Sequence, residues 1–178
     1  MCGIAGFFDS SLISSVKKEL GSKMLQRIRH RGPDASSAYI DDQVYLGHNR
    51  LSIIDLSVEA DQPFVVDQWV MVYNGEVYNY VEIRNELQAL GHKFRTASDT
   101  EVILKSFIQW GDTCVDRFVG MWAFVIYNKN SGQLFCSRDR FGIKPFYYIH
   151  HGEQFYFASE VKAFYDLPFF NPALNKKQ

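Results

Sequence analysis

Cys2, directly behind the initiator Met1, is the residue best suited to chemistry. Once Met1 is removed, Cys2 carries a free α-amine and a thiol. A thiolate is a strong nucleophile, and an α-amine, which titrates near ~7.7–8.0, can act as a base around neutral pH. One residue could therefore supply both nucleophile and general base without a histidine. On position alone, a small apolar residue that starts a strand is the simpler interpretation.

Three more polar clusters interrupt or end apolar runs: residues 48–54, 74–79 and 98–101. Their residue types fit the binding of a free amino acid. Arg50 can hold a carboxylate through two charge-assisted hydrogen bonds, while Glu76 and Asp99 can hold an ammonium group. Each residue alone also has a structural interpretation, because Arg50 could form a surface ion pair and Asp99 could carry a favourable charge at a helix start.

The pair Asn74-Gly75 supports a reaction at a side-chain amide. Attack of a thiolate on an amide creates an oxyanion that needs preorganised donors. The Asn74 side-chain amide and the Gly75 backbone N–H could supply them. Taken alone, Asn-Gly is equally typical of a hairpin turn. The clusters together favour the chemical interpretation.

The elements that must position these residues follow from hydrophobic periodicity and turn signals. The sequence predicts a buried strand over 3–8, a helix over 12–29 and a break at 30–34. Strands follow at 36–41, 43–48 and 50–55, with a hairpin turn at Asp41-Asp42, and another strand covers 65–73 and stops at Asn74-Gly75.

The second half is predicted to hold two helices and then β structure. The helices cover about 79–90 and 98–110, the latter opened by a capping box of Ser98 and Glu101. After a short helix near 113–118, strands at 120–128, 132–138, 145–150 and 154–158 are interpreted as an antiparallel meander. This order predicts a single α+β domain with antiparallel sheets.

Composition narrows the functional class. The 178 residues are 47% hydrophobic and carry a net charge of -1, which argues against disorder and gives no basic surface for nucleic acid or an anionic membrane. We find no apolar run long enough for a membrane span and no secretory signal. Three cysteines without CxxC spacing and histidines without ligand spacing predict no disulfide framework and no metal. A cytoplasmic location is expected.

Eight segments occur in an order that resembles one known family. They are Met1–Gly6, His30–Asp34, Arg50–Ile53, Asn74–Asn79, Ser98–Glu101, Gly120–Phe124, Arg138–Pro145 and Ala158–Ala163. The chain resembles, from Cys2 to about Phe164, the glutaminase domain of glutamine-hydrolysing asparagine synthetases. These are class II glutamine amidotransferases with an N-terminal nucleophile.

This resemblance implies a fold and a domain division. The fold is a four-layer αββα sandwich of two stacked antiparallel sheets, the Ntn-hydrolase fold. Residues 2–165 would form the glutaminase domain, and residues 166–178 would begin a linker toward a synthetase domain that this sequence does not contain.

The resemblance also implies roles. Cys2 would attack the side-chain amide of L-glutamine while its α-amine shuttles the proton, and a γ-glutamyl thioester would form before water releases glutamate. Asn74 and Gly75 would form the oxyanion hole, and Arg50 would bind the α-carboxylate. Glu76 and Asp99 would bind the α-amino group. The pocket wall would consist of Leu51, Ser52, Ile53 and Ile54.

Ammonia from this reaction would feed a synthetase domain or subunit that activates aspartate. ATP and Mg²⁺ belong to that partner, whose Ser-Gly-Gly-x-Asp-Ser loop is absent here, so no cofactor is expected in this domain. Whether the chain is a fragment or a stand-alone glutaminase stays open, as does a homodimer. Segments 138–145 and 159–162 are interpreted either as the mouth of an ammonia tunnel or as a tight turn and a helix cap.

Two alternative functions remain. The first is the glutaminase half of a related amidotransferase that acts on another carboxylate, such as a polysaccharide sugar acid. The second is a non-catalytic scaffold of the same fold.

Overall fold

The computed structural model describes residues 2–52 and 57–173. Its strands and helices are β1 (Gly3–Phe8), α1 (Ser14–Arg27), β2 (Ala35–Ile40), β3 (Val44–Arg50), β4 (Phe64–Val66), β5 (Trp69–Val77), α2 (Tyr80–Ala89), α3 (Asp99–Trp110), β6 (Gly120–Asn128), β7 (Leu134–Arg138), β8 (Tyr147–His151) and β9 (Gln154–Ala158). Short 3-10 helices cover Arg29–Arg31, Val58–Ala60, Gly111–Arg117 and Val161–Asp166.

The strands form two antiparallel sheets. Sheet A has the order β2-β3-β1-β9-β8, and sheet B has the order β4-β5-β6-β7. Helix α1 packs on the outer face of sheet A, and α2 and α3 pack on the outer face of sheet B. The predicted four-layer αββα sandwich is therefore confirmed.

Alternation along the strands divides the side chains between the layers. On β1, Ile4 faces the space between the sheets, which we call the inter-sheet layer, while Phe7 faces α1. On β5, Val70 and Val72 face the inter-sheet layer, and Tyr73 packs toward α2 and α3. Every second residue of β1, β3 and β5 thus faces the opposite sheet. This alternation, which we call strand parity, determines which polar side chains of the two sheets can come into contact.

Three strand predictions need correction. Strand β3 continues through Arg50, and the predicted strand 50–55 is not formed at residues 51–52; its remainder falls outside the described residues. The predicted strand 65–73 is two strands joined by a turn at Asp67, which has a φ of 50°. The predicted stop at Asn74-Gly75 is wrong, because β5 pairs with β6 as far as Val77 and Gly120.

The predicted meander is also wrong. Strands β6 and β7 pair in sheet B, whereas β8 and β9 pair in sheet A. The connection between β7 and β8 therefore crosses from one sheet to the other. Strand periodicity shows which residues share a face, but it does not show to which sheet a strand belongs.

Helix α3 begins as predicted at Ser98, whose Oγ accepts a hydrogen bond from the Glu101 N–H. Glu101 does not complete the capping box. Its carboxylate instead accepts hydrogen bonds from the Arg95 and Thr96 N–H groups and pairs with Lys105. Glu101 thus holds the loop that precedes α3 through Arg95 and Thr96 and does not cap the helix reciprocally with Ser98.

None of the helices in the described part of the chain is both long enough and apolar enough to span a bilayer.

Candidate active site

Strand parity brings residues from both sheets to one end of the inter-sheet layer. In the β1–β3 ladder Gly3 pairs with Asn49, and continuing this register puts Cys2 beside Arg50. Since even-numbered residues of β1 and β3 face inward, Cys2, His48 and Arg50 share one side. On β5 the same alternation turns Asn74 and Glu76 toward them from sheet B.

These residues line a cavity of about 100 Å³. Seven of the ten residues predicted for catalysis or substrate binding border it: Cys2, Arg50, Leu51, Asn74, Gly75, Glu76 and Asp99. Ser52 is described but does not border the cavity; its N–H binds the Asp34 carboxylate at 2.8 Å. Ile53 and Ile54 lie outside the described residues, as does Met1.

The Cys2 thiol is held by the main chain of Leu51. It donates to the Leu51 carbonyl at 3.6 Å and accepts from the Leu51 N–H at 3.4 Å. Burial raises the pKa of the Cys2 thiol, although the Leu51 main chain and the charges of Arg50 and Lys144 act in the opposite direction. The thiol is therefore protonated at neutral pH, and a nucleophilic role requires a base.

Asn74 carries a buried donor. Its side chain is 1% exposed, and its Nδ2 has no hydrogen-bond partner within residues 2–52 and 57–173. Buried donors are rarely left without a partner, because each costs about 1–3 kcal/mol. Such a donor next to a thiol is available to an atom of a bound molecule.

The Gly75 N–H points to the same cavity. Tyr73 N–H binds the Gln62 side chain at 2.6 Å and Val77 N–H binds Asp99 at 3.0 Å, both on the side of β5 away from β6. Backbone N–H groups two residues apart in a strand point the same way, so Gly75 directs its N–H between these two. A Cβ at position 75 would collide with the Met121 carbonyl and with the backbone of Trp122.

Arg50 is oriented by the segment that follows its strand. Its Nη1 donates to the Ser57 carbonyl at 2.9 Å and to the Asp61 carboxylate, with which it forms an ion pair. The guanidinium is nearly buried, with 11% of its side chain exposed. Arg50 is thus a cavity cation with a carboxylate partner of its own, which the sequence did not predict.

Asp99 is fixed in place at the start of α3. Its Oδ2 accepts from the Tyr73 hydroxyl at 2.8 Å and from the Val77 N–H, and burial raises the pKa of its carboxyl group. Glu76 borders the same cavity from β5. The cavity therefore contains two carboxyl groups on one side and the Arg50 guanidinium on the other.

Lys144 reaches the cavity from the connection between the sheets. The Asp139 carboxylate accepts the N–H groups of Phe141, Ile143 and Lys144, and Arg138 donates to the Lys144 carbonyl at 2.7 Å. Lys144 is 4% exposed, and burial lowers the pKa of its ammonium group. Segment 138–145 thus contains a tight turn. That it also forms the mouth of an ammonia tunnel stays a prediction.

His48, Lys144 and Gln62 are among the cavity residues to which sequence reasoning gave no role in the site. His48 belonged to a noted cluster but received no role, although it shares strand parity with Arg50. Lys144 lay in a noted motif. Gln62, which links the Tyr73 N–H to Thr100, gave no signal because its partners are distant in the sequence.

No group of three potential metal-binding side chains occurs among the residues that the structure describes. All three cysteines are free; Cys114 is buried and Cys136 is half-buried.

Comparison with known proteins gives one consistent result. The sequence matches the profile of the glutamine amidotransferase domain over residues 1–178. Glutamine-hydrolyzing asparagine synthetases 3 and 1 of Bacillus subtilis are 40% and 43% identical to it across 92% of this chain. A putative asparagine synthetase of Methanocaldococcus jannaschii is 42% identical over the same share. The chain spans only 27%, 26% and 35% of these relatives.

The fold is shared with a more distant enzyme. The structure of a glutamine phosphoribosylpyrophosphate amidotransferase from B. subtilis superposes with a TM-score of 0.77 at 20% identity, over 92% of this chain and 43% of the other.

Proposed function

Because the chain belongs to the glutamine amidotransferase domain family, we propose that it hydrolyses L-glutamine to glutamate and ammonia through the Cys2 thiol. One observation carries the proposal. A half-buried thiol, an amide donor on Asn74 without a partner among the described residues, and the inward-pointing N–H of Gly75 border the same cavity.

The first half of the reaction needs a base and an oxyanion site. Removal of Met1 exposes the Cys2 α-amine, which takes the thiol proton as sulfur attacks the amide carbon of glutamine. Asn74 Nδ2 and the Gly75 N–H donate to the developing oxyanion. The C–N bond then breaks, the nitrogen takes up the proton, and ammonia leaves a γ-glutamyl thioester. Water attacks this thioester, the C–S bond breaks, and the thiol regains a proton.

The charged groups of the cavity match the two charges of a free amino acid. Arg50 binds the α-carboxylate, and Glu76 with Asp99 binds the α-ammonium group. Asp99 cannot swing away without losing its bonds to Tyr73 and Val77, so it offers a fixed acceptor. Leu51 forms part of the cavity wall, whereas Ser52 does not border the cavity and residues 53 and 54 lie outside the described residues.

The released ammonia is proposed to serve asparagine synthesis from aspartate. This rests on relatives that are named asparagine synthetases and are roughly three to four times as long, so the synthetase activity, with its ATP and Mg²⁺, would belong to another domain or subunit. The alternative acceptor, a carboxylate such as a sugar acid, keeps the same glutaminase site. Formation of asparagine by the native protein with glutamine, aspartate, ATP and Mg²⁺ separates the two.

Glutamate release by the Met1-processed protein tests the glutaminase itself. Cys2→Ala is expected to abolish it, whereas Cys136→Ala, which removes a thiol outside the cavity, is expected to retain it. A diazo-ketone analogue of glutamine should add one adduct, at Cys2, by mass spectrometry. Glutamate release by the Cys2→Ala protein at the wild-type rate would refute the assignment of Cys2 as the nucleophile. It would not distinguish between the two proposed acceptors of ammonia.

A further inference from the structure

His48 is a buried polar residue that the proposed mechanism leaves unused. It lies on β3, borders the cavity and is 1% exposed. Within the part of the chain that the structure describes, neither ring nitrogen, Nδ1 or Nε2, makes a hydrogen bond of good geometry, although the Tyr73 main chain lies close enough to act on the ring, so at least one nitrogen is left for another partner. Its neighbours along the inter-sheet layer, Ile4 and Leu46, are apolar. An apolar side chain would fill the same place without leaving polar atoms unpaired, so packing does not explain a histidine here.

The β1–β3 register fixes where the ring lies relative to the thiol. His48 is directly opposite Ile4, and Cys2 is two residues before Ile4 on the same face. Cys2 and His48 are therefore diagonal neighbours, which typically lie about 7–8 Å apart with their Cβ atoms somewhat closer. Both side chains border the same cavity, so a small molecule in it can contact the ring and the sulfur. The cavity, at about 100 Å³, exceeds the roughly 30 Å³ that one water occupies.

The charge state of His48 limits what it can do. Burial and the nearby Arg50 charge lower the pKa of His48 to about 3, against a smaller opposing effect of the Tyr73 main chain. The ring is therefore neutral at physiological pH, with one nitrogen that donates and one that accepts. It can orient a small neutral molecule that both donates and accepts hydrogen bonds, and it is too weak a base to deprotonate one.

We propose that His48 holds the water molecule that hydrolyses the γ-glutamyl thioester, an inference that rests on the proposed glutaminase function. The water oxygen forms a bond to the thioester carbon, the C–S bond breaks, and the water proton ends on the Cys2 sulfur through the Cys2 α-amine. Glutamate leaves with the water oxygen. His48 supplies orientation through a hydrogen bond, and the net proton count of the ring does not change.

The test separates the second half of the reaction from the first. His48→Phe keeps a ring of similar shape and removes both nitrogens. Tyr127→Phe is the matched control, because it also removes one polar group from a buried ring in the inter-sheet layer, far from the cavity. Acid-quenched protein is examined by mass spectrometry for the thioester on Cys2 during turnover of glutamine, with and without hydroxylamine, which attacks thioesters in place of water.

We expect His48→Phe to release glutamate about tenfold more slowly, as the loss of one hydrogen bond to the reacting water would give. Its thioester should accumulate, and hydroxylamine should restore turnover as γ-glutamyl hydroxamate. Wild type and Tyr127→Phe should show neither effect. His48→Gln, which keeps a donor and an acceptor and is less demanding for folding, should retain most of the activity.

The inference is overturned if His48→Phe or His48→Gln slows glutamate release without accumulation of thioester and without rescue by hydroxylamine. That result would assign His48 to departure of ammonia or to packing. It is equally overturned if His48→Phe matches wild type. Absence of both thioester and glutamate release in the wild-type protein would instead refute the glutaminase function.

Discussion

The polar groups at the two ends of the inter-sheet layer differ in whether they have hydrogen-bond partners within the protein. At the end formed by the β2–β3 hairpin, the Tyr39 hydroxyl binds Asp41 at 3.0 Å, and the Tyr127 hydroxyl binds Gln43 at 3.3 Å. At the cavity end, Nδ2 of Asn74 and the nitrogens of His48 make no hydrogen bond of good geometry within residues 2–52 and 57–173, and only the Tyr73 main chain lies close enough to act on the His48 ring. The partly buried hydroxyls at the hairpin end are thus paired within the protein, whereas the buried nitrogens at the cavity end lack a hydrogen bond of good geometry.

This difference indicates which end evolved to bind something. Unpaired buried atoms reduce stability, and a fold retains them where a ligand supplies the missing hydrogen bonds. The hairpin end contributes to folding alone, while the cavity end gives up stability for binding. Substitutions at the cavity end should therefore cost activity more than stability, and substitutions at the hairpin end should do the reverse.

The largest expected effect is that of Asn74→Ala. Loss of one oxyanion donor is expected to lower kcat for glutamine by about 10²–10³-fold. Since Nδ2 has no partner to lose, Tm should fall little. Glutamate-release kinetics and thermal unfolding check both parts. A kcat within about threefold of wild type would show that Asn74 is not an oxyanion donor. It would also contradict the proposed difference between the two ends of the layer.

The pH dependence of stability comes next. The pKa of His48 is about 3 in the folded chain and near ~6.5 in an unfolded one. Between these values the unfolded chain binds more protons, so the free energy of unfolding falls as pH falls. At pH 4.5 this destabilisation should reach about 2–3 kcal/mol.

In His48→Phe the ring at this position cannot bind a proton, so this decrease in the free energy of unfolding between pH 7 and pH 4.5 should be absent. Denaturant unfolding of both proteins at pH 7 and pH 4.5 measures the difference. Equal losses of stability in wild type and His48→Phe would show that the ring is protonated in the folded protein.

Asp61→Asn should have a smaller effect that is confined to substrate binding. Asp61 pairs with Nη1 of Arg50, and an uncharged partner would orient the guanidinium less firmly. We expect KM for glutamine to rise about three- to tenfold, which corresponds to ~0.7–1.4 kcal/mol, with kcat unchanged. The α-amide of glutamine, which lacks the carboxylate, should show no such change.

Asp116→Asn is the matched control, because it removes a carboxylate that pairs with Arg140 on the exposed surface. A lower KM in Asp61→Asn would mean that Asp61 competes with the substrate for Arg50.

Tyr127→Phe should have the smallest effect, and this effect should be on stability rather than on activity. Loss of its bond to Gln43 is expected to lower the free energy of unfolding by about 0.5–1.5 kcal/mol, while kcat and KM for glutamine stay unchanged. Denaturant titration and glutamate-release assays measure the two. A reduced kcat would show that the two ends are coupled through the layer.

The sequence predicted elements that depend on local signals. The strand over Gly3–Phe8 and the start of α3 at Ser98 follow from periodicity and capping, and both are confirmed. Asn74-Gly75 misled because Asn-Gly is a strong hairpin signal, whereas here pairing with β6 continues the strand. Gly75 is required because a Cβ would collide with β6, and Asn74 because it faces the cavity.

Resemblance to a family identifies site residues by motif, and seven of the ten so identified border one cavity, while their roles stay predictions. The sequence did not predict contacts between segments that are distant along the chain. The Arg50–Asp61 pair and the Gln62 bonds depend on how residues 57–62 fold back on β3 and β5, and no local periodicity encodes that. The meander failed for the same reason, because sheet membership is set by tertiary packing.

The position of Asn74 and Gly75 within a nine-residue strand also determines how they fluctuate. A donor on a loop moves when the loop moves, but here it moves only if the β5–β6 ladder opens. Amide hydrogen exchange at the paired residues of β5 should therefore occur only through rare, extensive opening, whereas Ser52, outside any strand, exchanges by local fluctuation. The two proposed oxyanion donors should thus keep their geometry for as long as the domain itself stays folded.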